Sequence, residues 1–142
     1  KVFRNEATDA THEAQFFQID GCAVGPSVTL ADLKGTLERF YREYLGPSAK
    51  VRFRPSYFSF TEPSVEIDAW FEAPGKEGKW LEMSGGGMLH PAVLTNAGLD
   101  PEKVQGFAFG GGLERLIMVK YGVPDVRLFH SGDVRFVYGF DS

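Results

Sequence analysis

The chain is poor in three features that would indicate particular kinds of protein. It has a single cysteine, Cys22, which excludes an internal disulfide and a cysteine-based metal cluster. No apolar run reaches the roughly 18–20 residues that cross a bilayer, and no signal peptide is visible. The net charge of −4 argues against a broad nucleic-acid-binding surface. We therefore expect a cytoplasmic protein that makes no membrane contact, in keeping with a reducing compartment.

What the chain does contain is an ordinary core and many aromatic residues. Its 142 residues suit one domain or a large piece of one, and 43% hydrophobic content is enough to build a core. Thirteen residues are Phe, and some of them could line a pocket for a flat apolar ligand. The first residues, Lys1-Val2-Phe3-Arg4, read like the middle of a strand. We therefore expect a fragment or a reduced form of a larger domain.

Hydrophobic alternation and turn residues predict more strands than helices. The first two strands are expected to pair antiparallel across a long loop. Hairpin-style connections favour an α+β fold, a mostly antiparallel sheet flanked by helices, over alternating βαβ units. The predicted strands are residues 1–6, 15–24, 51–54, 57–60, 65–72, 79–83 and 105–109, with Pro63 ending the fourth.

Two helices are predicted from apolar residues at helical spacing. Ser27 or Thr29 is expected to cap the first, where Thr29-Leu30-Ala31-Asp32 approximates a capping box with Asp in place of Glu, and Gly46-Pro47 ends it. The second runs from Leu113 to Tyr121 and ends at Gly122. A further helical turn is expected after His90-Pro91.

Two short motifs carry candidate chemistry, although each is weak alone. Gly110-Gly111-Gly112-Leu113-Glu114-Arg115 joins a strand to a helix, where glycines allow a ligand close to the backbone. Arg115 in the first turn opposes the helix dipole, which suggests an anionic partner. Arg4 and Glu6, two apart on a strand, point the same way. Most pairs of that kind lie on solvated strand faces.

Taken together, these motifs resemble motifs 2 and 3 of the class II aminoacyl-tRNA synthetases. The longer stretches FRNEATDATHEAQF (3–16), VRFRPSYFSFTEP (51–63) and GFAFG (106–110) closely resemble the bacterial phenylalanyl-tRNA synthetase alpha subunit. The resemblance runs from Lys1 to about Phe140. It implies that residues 1–142 are the C-terminal part of a class II catalytic domain, with motifs 2 and 3 present and motif 1 absent.

The resemblance implies an ATP site. Arg4 would bind the α-phosphate and the attacking carboxylate, while Phe16 and Arg115 would stack on the two faces of adenine. His12 would hold the triphosphate, and Glu82 would lie near the Mg²⁺–phosphate cluster. Arg4 and Arg115 are then the catalytic residues. The implied ATP-binding residues are Arg4, Glu6, His12, Phe16, Glu82 and Arg115.

The resemblance also implies a pocket for L-phenylalanine and sites for Mg²⁺. Phe58 and Phe60, at i and i+2 on a strand, would meet the substrate ring edge-to-face. Ala108 would form the pocket floor, and Glu6 and Gln18 would meet the ammonium group. Glu62 would bind a separate Mg²⁺ near the junction with a beta subunit. The implied phenylalanine-binding residues are Glu6, Gln18, Phe58, Phe60, Ala108 and Gly110, and the metal ligands are Glu62 and Glu82.

The implied function is ATP-dependent activation of phenylalanine and its transfer to tRNA, within an α2β2 enzyme that contains a beta subunit. Alternatives are a non-catalytic paralogue that binds nucleotide without aminoacylation, and a class II relative that activates another amino acid. Phe58, Phe60 and Ala108 favour an aromatic substrate. Several residues depart from the family pattern: Phe17, Ser59 and Gly111, with residues 85–87, where extra glycines predict flexibility near the site.

Overall fold

The computed structural model describes residues 1–140 except 6–8, 11, 13, 73–74 and 76. The described part of the chain contains seven strands, four α-helices and one 3₁₀ helix. The strands are β1 (Val2–Phe3), β2 (Gln15–Phe16), β3 (Gln18–Gly25), β4 (Val51–Phe58), β5 (Thr61–Phe71), β6 (Lys79–Leu89) and β7 (Gln105–Gly112). The α-helices are α1 (Leu30–Leu45), α2 (Pro91–Asn96), α3 (Leu113–Tyr121) and α4 (Val134–Tyr138), and the 3₁₀ helix is Val126–His130.

Five of these strands form one sheet in the order β3-β7-β6-β5-β4. Each neighbouring pair in it is antiparallel. The strands β1 and β2 form the predicted antiparallel pair. The predicted strand 15–24 is not continuous, because it divides at Phe17 into β2 of this pair and β3 of the large sheet. The predicted α+β fold, an antiparallel sheet flanked by helices, is therefore confirmed.

Helix α1 packs on one face of the large sheet, which we call the closed face. Thr29 and Asp32 form the predicted capping box, and the helix ends at Gly46. Leu33, Leu37 and Tyr41 are buried against alternate residues of β5 and β6, from Val65 and Ile67 through Met83. Side chains alternate across a strand, so this packing leaves the other set of residues on the opposite, open face. The helix thus determines which side of the sheet can hold a ligand.

One hydroxyl pair lies inside the core on the closed face. The Tyr41 hydroxyl and the Ser84 hydroxyl are 2.8 Å apart. Burial raises the pKa of Tyr41 to about 12, so this phenol stays protonated at neutral pH. The pair satisfies two polar groups that would otherwise be costly to bury.

Strands β4, β5, β6 and β7 extend further than the sequence patterns predicted. Strand β4 passes through Pro55 without a break, which is possible because β4 is an edge strand of the described sheet. Pro63 does not end a strand but lies inside β5, at a register shift between Thr61 and Ser64. Strand β6 continues through glycines 85–87. Neighbouring residues occupy the space that side chains would need there: a Cβ on Gly85 would lie 2.6 Å from Cζ of Phe58.

The 3₁₀ helix and α4 were not predicted, although a local signal exists. Each begins at an Asp-Val-Arg sequence, at Asp125 and at Asp133. In both, the aspartate accepts a hydrogen bond from the arginine backbone N–H and pairs with its guanidinium. Aspartate is a favoured helix N-cap, so the repeated tripeptide could have indicated both starts.

A charged network lies at the β4 end of the open face. Asp68 is 2% exposed and accepts hydrogen bonds from Arg52 Nε at 2.8 Å and Arg54 Nε at 2.6 Å. Arg54 also donates to Glu66 at 2.7 Å. Arg52 lies over the ring of Trp80, 4.3 Å from its centroid. The hydrogen bonds from Arg54, followed by those from Arg52, hold the pKa of Asp68 below its ordinary value.

Candidate functional site

The open face carries a cleft of about 870 Å³. Strands β3, β7 and β6 form its floor, and β2, the turn after β4 and the start of α3 form its walls. Ten of the predicted site residues line it: Arg4, His12, Phe16, Gln18, Phe58, Phe60, Glu82, Ala108, Gly110 and Arg115. Glu62 is exposed on β5 and lies outside the described lining of the cleft. Glu6 lies outside the residues that the structure describes.

At one end of the cleft, Arg4 and Phe16 are in contact. The Arg4 backbone N–H donates to the Ala14 carbonyl at 2.8 Å, which extends the pairing of β1 with β2. The Arg4 guanidinium carbon is 5.0 Å from the centroid of the Phe16 ring. This is a cation–π arrangement that presents a flat aromatic face and a positive charge together. Such a pair can bind a planar base that is linked to an anion.

Arg115 approaches the same region from the first turn of α3. Its Nη1 donates to the Glu82 carbonyl at 2.9 Å, and the Glu82 carboxylate is 3.9 Å from that nitrogen. The Arg115 side chain is 20% exposed, whereas that of Glu82 is 51% exposed. Within the described residues, Glu82 is thus one anionic neighbour of Arg115, at the long limit of an ion pair. The backbone contact orients the guanidinium within the cleft.

The loop between β1 and β2 holds His12 over the cleft. The Asp9 carboxylate lies 3.0 and 3.1 Å from His12 Nδ1 and also accepts the His12 backbone N–H. Nearby, Ala10 is tied to the 3₁₀ helix, because Val126 N–H donates to the Ala10 carbonyl at 2.9 Å. Asp9 therefore sets the orientation of the imidazole ring.

The other end of the cleft is apolar. The rings of Phe58 and Phe60 are 5.9 Å apart and inclined by 23°, so they lie nearly parallel to each other. The strand-alternation argument for these two residues is wrong in detail, because β4 ends at Phe58 and Phe60 lies in the following turn. Both rings line the cleft nevertheless. Ala108 lies on β7 directly opposite Cys22 of β3, and both line this end.

Two glycines on neighbouring strands give the floor its shape. Gly85 and Gly110 are cross-strand partners in β6 and β7. The Phe58 ring covers Gly85, and a Cβ on Gly110 would lie 2.3 Å from Asp20 Oδ1 and 2.4 Å from Gln18 Nε2. A side chain at either position would displace these groups. The glycines therefore provide room for side chains of the site.

Asp20 is a cleft residue that the sequence analysis missed. Its Oδ1 accepts a hydrogen bond from Gln18 Nε2 at 2.9 Å. Strand alternation could have identified it, because residues 18, 20 and 22 of β3 share the open face. A carboxylate beside an amide oxygen, next to an apolar pocket, suits the ammonium group of an amino acid.

The two predicted metal ligands do not form one site. Glu82 lines the cleft and Glu62 does not. Within the described residues there is no group of three or more His, Cys, Asp or Glu side chains that could hold a metal ion. Mg²⁺ that arrives with a nucleotide is bound mainly by phosphate oxygens and waters, with one or two carboxylates. A single exposed carboxylate at Glu82 fits that kind of ion.

Comparison with known proteins identifies close relatives along the whole chain. The family described as tRNA synthetases class II core domain (F) matches residues 1–140. The chain is 53% identical over 147 aligned positions to the phenylalanine–tRNA ligase alpha subunit of Roseiflexus castenholzii, and 51% identical to that of Exiguobacterium sp.. These alignments cover 99% of this chain but 42% and 43% of the relatives. The chain thus spans less than half the length of the curated relatives it matches.

Proposed function

Because this chain belongs to the class II aminoacyl-tRNA synthetase core family, we propose that it carries the site at which ATP and L-phenylalanine form phenylalanyl-adenylate. One observation carries the proposal. One cleft has two ends of different character. Its charged end, with Arg4, Phe16 and Arg115, suits a nucleotide, and its apolar end, with Phe58, Phe60 and Ala108, suits an aromatic side chain. A reaction between a nucleotide and an aromatic amino acid requires both ends together.

The nucleotide would occupy the charged end. Adenine stacks between the Phe16 ring and the Arg115 guanidinium, and Arg4 turns from the Phe16 ring towards the α-phosphate. Arg115 and His12 bind the outer phosphates. Glu6 belongs to the same proposal on the strength of the family resemblance alone. When bound, Mg²⁺ would neutralise phosphate charge, and Glu82 is the cleft carboxylate that would hold it.

The amino acid would occupy the apolar end. Its ring packs against Phe58 and Phe60 above Ala108, and Gly110 leaves room for the backbone. Its ammonium group is held by Asp20 and Gln18, which lie on the same side of β3. An apolar floor at Ala108 would leave a tyrosine hydroxyl without a partner, which disfavours that substrate.

The proposed reaction needs positioned charges and no general base. The phenylalanine carboxylate is already ionised, and its oxygen attacks the α-phosphorus as the bond to the β-phosphate bridging oxygen breaks. Arg4 stabilises the negative charge on the five-coordinate phosphorus, and pyrophosphate leaves with its electron pair. In a second step, a hydroxyl oxygen of the terminal tRNA adenosine attacks the carbonyl carbon, the hydroxyl proton passes to a phosphate oxygen of the adenylate, and AMP leaves.

The whole enzyme would contain more than this chain. The relatives are named alpha subunits, so we propose a beta subunit as partner in an α2β2 assembly, with tRNA as second substrate. Residues 1–142 would then form the motif 2 to motif 3 part of its catalytic domain. Glu62, exposed and away from the cleft, would bind a separate Mg²⁺ near the beta subunit. A cytoplasmic location is part of the same proposal.

The test is phenylalanine-dependent exchange of pyrophosphate into ATP, measured on this chain alone and with a beta subunit added. We expect exchange in at least the second case, and much less when tyrosine replaces phenylalanine. A non-catalytic paralogue would bind Mg·ATP and phenylalanine in equilibrium dialysis but show no exchange in either case. Exchange driven better by another amino acid would identify a relative with a different substrate.

Ala108→Gly tests the pocket floor. Removing the methyl group deepens the apolar end, so we expect para-chlorophenylalanine to gain relative to phenylalanine by about tenfold or more in kcat/KM. Pyrophosphate exchange with each amino acid measures the ratio. Ala49→Gly, in the loop before β4, is the matched control and should leave the ratio unchanged. An unchanged ratio in Ala108→Gly would place the substrate ring elsewhere.

A further inference from the structure

Phe17 is the single residue between the two sheets. Strand β2 ends at Phe16 in the two-stranded sheet, and β3 begins at Gln18 in the five-stranded sheet. Two cleft residues therefore flank one peptide segment, Phe16 at the nucleotide end and Gln18 at the amino-acid end. Any rotation of this segment would move both side chains at once.

The start of α3 bonds this segment on both sides. The Phe17 N–H donates to the two carboxylate oxygens of Glu114, at 2.8 and 3.1 Å. The Phe17 carbonyl accepts a hydrogen bond from Leu113 N–H at 2.8 Å. The first helical turn therefore holds both backbone polar groups of Phe17. We call the hydrogen bonds from the Phe17 N–H to the Glu114 carboxylate the clamp.

The Glu114 side chain is buried and hydrogen-bonded at this position. It is 6% exposed, although a carboxylate is costly to bury without strong partners. It lies in the first turn of α3, where the helix dipole favours a negative charge, and the N-cap residue Gly112 contributes no side-chain cap. A hydrogen bond from N–H to a carboxylate is roughly twice as strong as a neutral one. The clamp is therefore strong enough to fix the segment.

The residue that follows Glu114 is Arg115, the third member of the charged end. The same helical turn thus carries the Glu114 clamp and the Arg115 guanidinium, which donates to the Glu82 carbonyl on β6. Movement of Glu114 relative to Phe17 would change the separation between Phe16 and Arg115. These are the two groups proposed to enclose adenine.

We propose that Glu114 is a positioning residue that couples the nucleotide end and the amino-acid end of the cleft. It does so by holding Phe16 and Gln18 at fixed positions relative to Arg115. The proposal rests on the proposed function, since it concerns where ATP and phenylalanine bind. It predicts that displacing the clamp weakens the binding of ATP and of phenylalanine together. By contrast, substitutions at Phe58 should weaken mainly the binding of phenylalanine, and substitutions at Arg115 mainly the binding of ATP.

The decisive variant is Glu114→Asp, which keeps the charge and shortens the side chain by one methylene group. The clamp must then stretch or pull the Phe17 segment towards α3. We expect the dissociation constants for Mg·ATP and for L-phenylalanine to rise together, each by about tenfold, in isothermal titration of the full chain. Glu114→Gln keeps the length and one acceptor oxygen, so both constants should stay within about threefold of the original.

Two further measurements separate positioning from general stability. Hydrogen exchange at the Phe17 amide should quicken in Glu114→Asp and remain slow in Glu114→Gln. Thermal unfolding identifies a temperature at which each variant is fully folded, and the titrations are made there. Glu43→Ala, on the exposed face of α1 and paired with Arg39, is the control and should change neither dissociation constant.

The possible outcomes lead to different conclusions. A folded Glu114→Asp chain that binds both ligands as before, or loses only one of them, would overturn the coupling. Weak binding by a folded Glu114→Gln chain with a protected Phe17 amide would also overturn it, and this holds even if Glu114→Asp does not fold. If the unaltered chain binds neither ligand, the proposed function fails instead, while amide exchange still reports whether the clamp exists.

Discussion

Arg115→Ala is expected to lower phenylalanine-dependent pyrophosphate exchange by about a hundredfold or more, the usual loss when one preorganised charge donor is removed from an active site. Arg115 is 20% exposed and is oriented by the Glu82 carbonyl, so it needs little rearrangement to meet a triphosphate. In the proposed site, its loss would remove an adenine stacking surface and a phosphate ligand at once. The loss should appear in kcat/KM for ATP, with a smaller change in the KM for phenylalanine.

Arg115→Lys distinguishes charge from shape. A lysine keeps the positive charge but lacks the planar group that stacks and donates in two directions, so we expect activity between the unaltered chain and Arg115→Ala. Arg39→Ala removes an exposed arginine from α1 and is the matched control. Exchange that is unchanged in Arg115→Ala would show that the nucleotide lies elsewhere in the cleft.

Asp68→Ala is expected to lower the free energy of unfolding by about 3 kcal/mol, at the lower end of the range for breaking a buried ion pair. Asp68 is 2% exposed and accepts hydrogen bonds from Arg52 and Arg54 across the β4–β5 pair. The figure is not larger because both guanidinium groups keep some access to water after the change. Urea unfolding at neutral pH measures the difference.

The same carboxylate predicts how stability depends on pH. The pKa of Asp68 is lower in the folded protein than in the unfolded chain, because Arg54 and then Arg52 favour the ionised form. Its contribution is therefore complete above the unfolded pKa, about 3.9, and is lost as the pH falls towards the folded pKa. Asp68→Asn should show a shallower loss of stability below pH of about 4 than the unaltered chain.

Two results would contradict this interpretation of Asp68. Equal acid sensitivity in Asp68→Asn and the unaltered chain would assign the pH dependence to other carboxylates. A loss in Glu43→Ala as large as that in Asp68→Ala would show that burial of the pair does not matter, since the Glu43–Arg39 pair is exposed. Surface ion pairs of that kind contribute little to stability.

Local sequence patterns predicted a large part of this fold because their causes are local. The capping box at Thr29 and Asp32 acts within one turn, and Gly122 ends α3 in the left-handed conformation that glycine adopts easily. Strand ends were less predictable. Pro55, Pro63 and glycines 85–87 look like interruptions in the sequence. Pro55 lies on an edge strand, Pro63 lies at a register shift, and close packing of neighbouring groups leaves no room for a Cβ at the glycines.

In the candidate site too, sequence motifs indicated the residues, whereas the contacts between them depend on the fold. Family motifs in the sequence indicated Arg4, Phe16 and Arg115, but no local pattern could show that Arg4 lies over the Phe16 ring or that Arg115 bonds to Glu82. Asp20 was missed because it lies outside the quoted family stretches, although alternation along β3 places it beside Gln18. Phe60 reached the cleft through a turn, contrary to the strand argument.

The amino-acid sequence alone predicted the family and the antiparallel α+β class, which the comparisons and the fold confirm, and it predicted most residues of the proposed site. Spacing along a chain specifies which neighbours within a few residues share a face, and this is enough for caps, strands and motifs. Which distant groups meet is a property of the folded chain: Glu114 with Phe17, Asp68 with two arginines, and Gly85 with the Phe58 ring. Those contacts depend on strand register and on the packing of α1, which require the whole sheet to assemble.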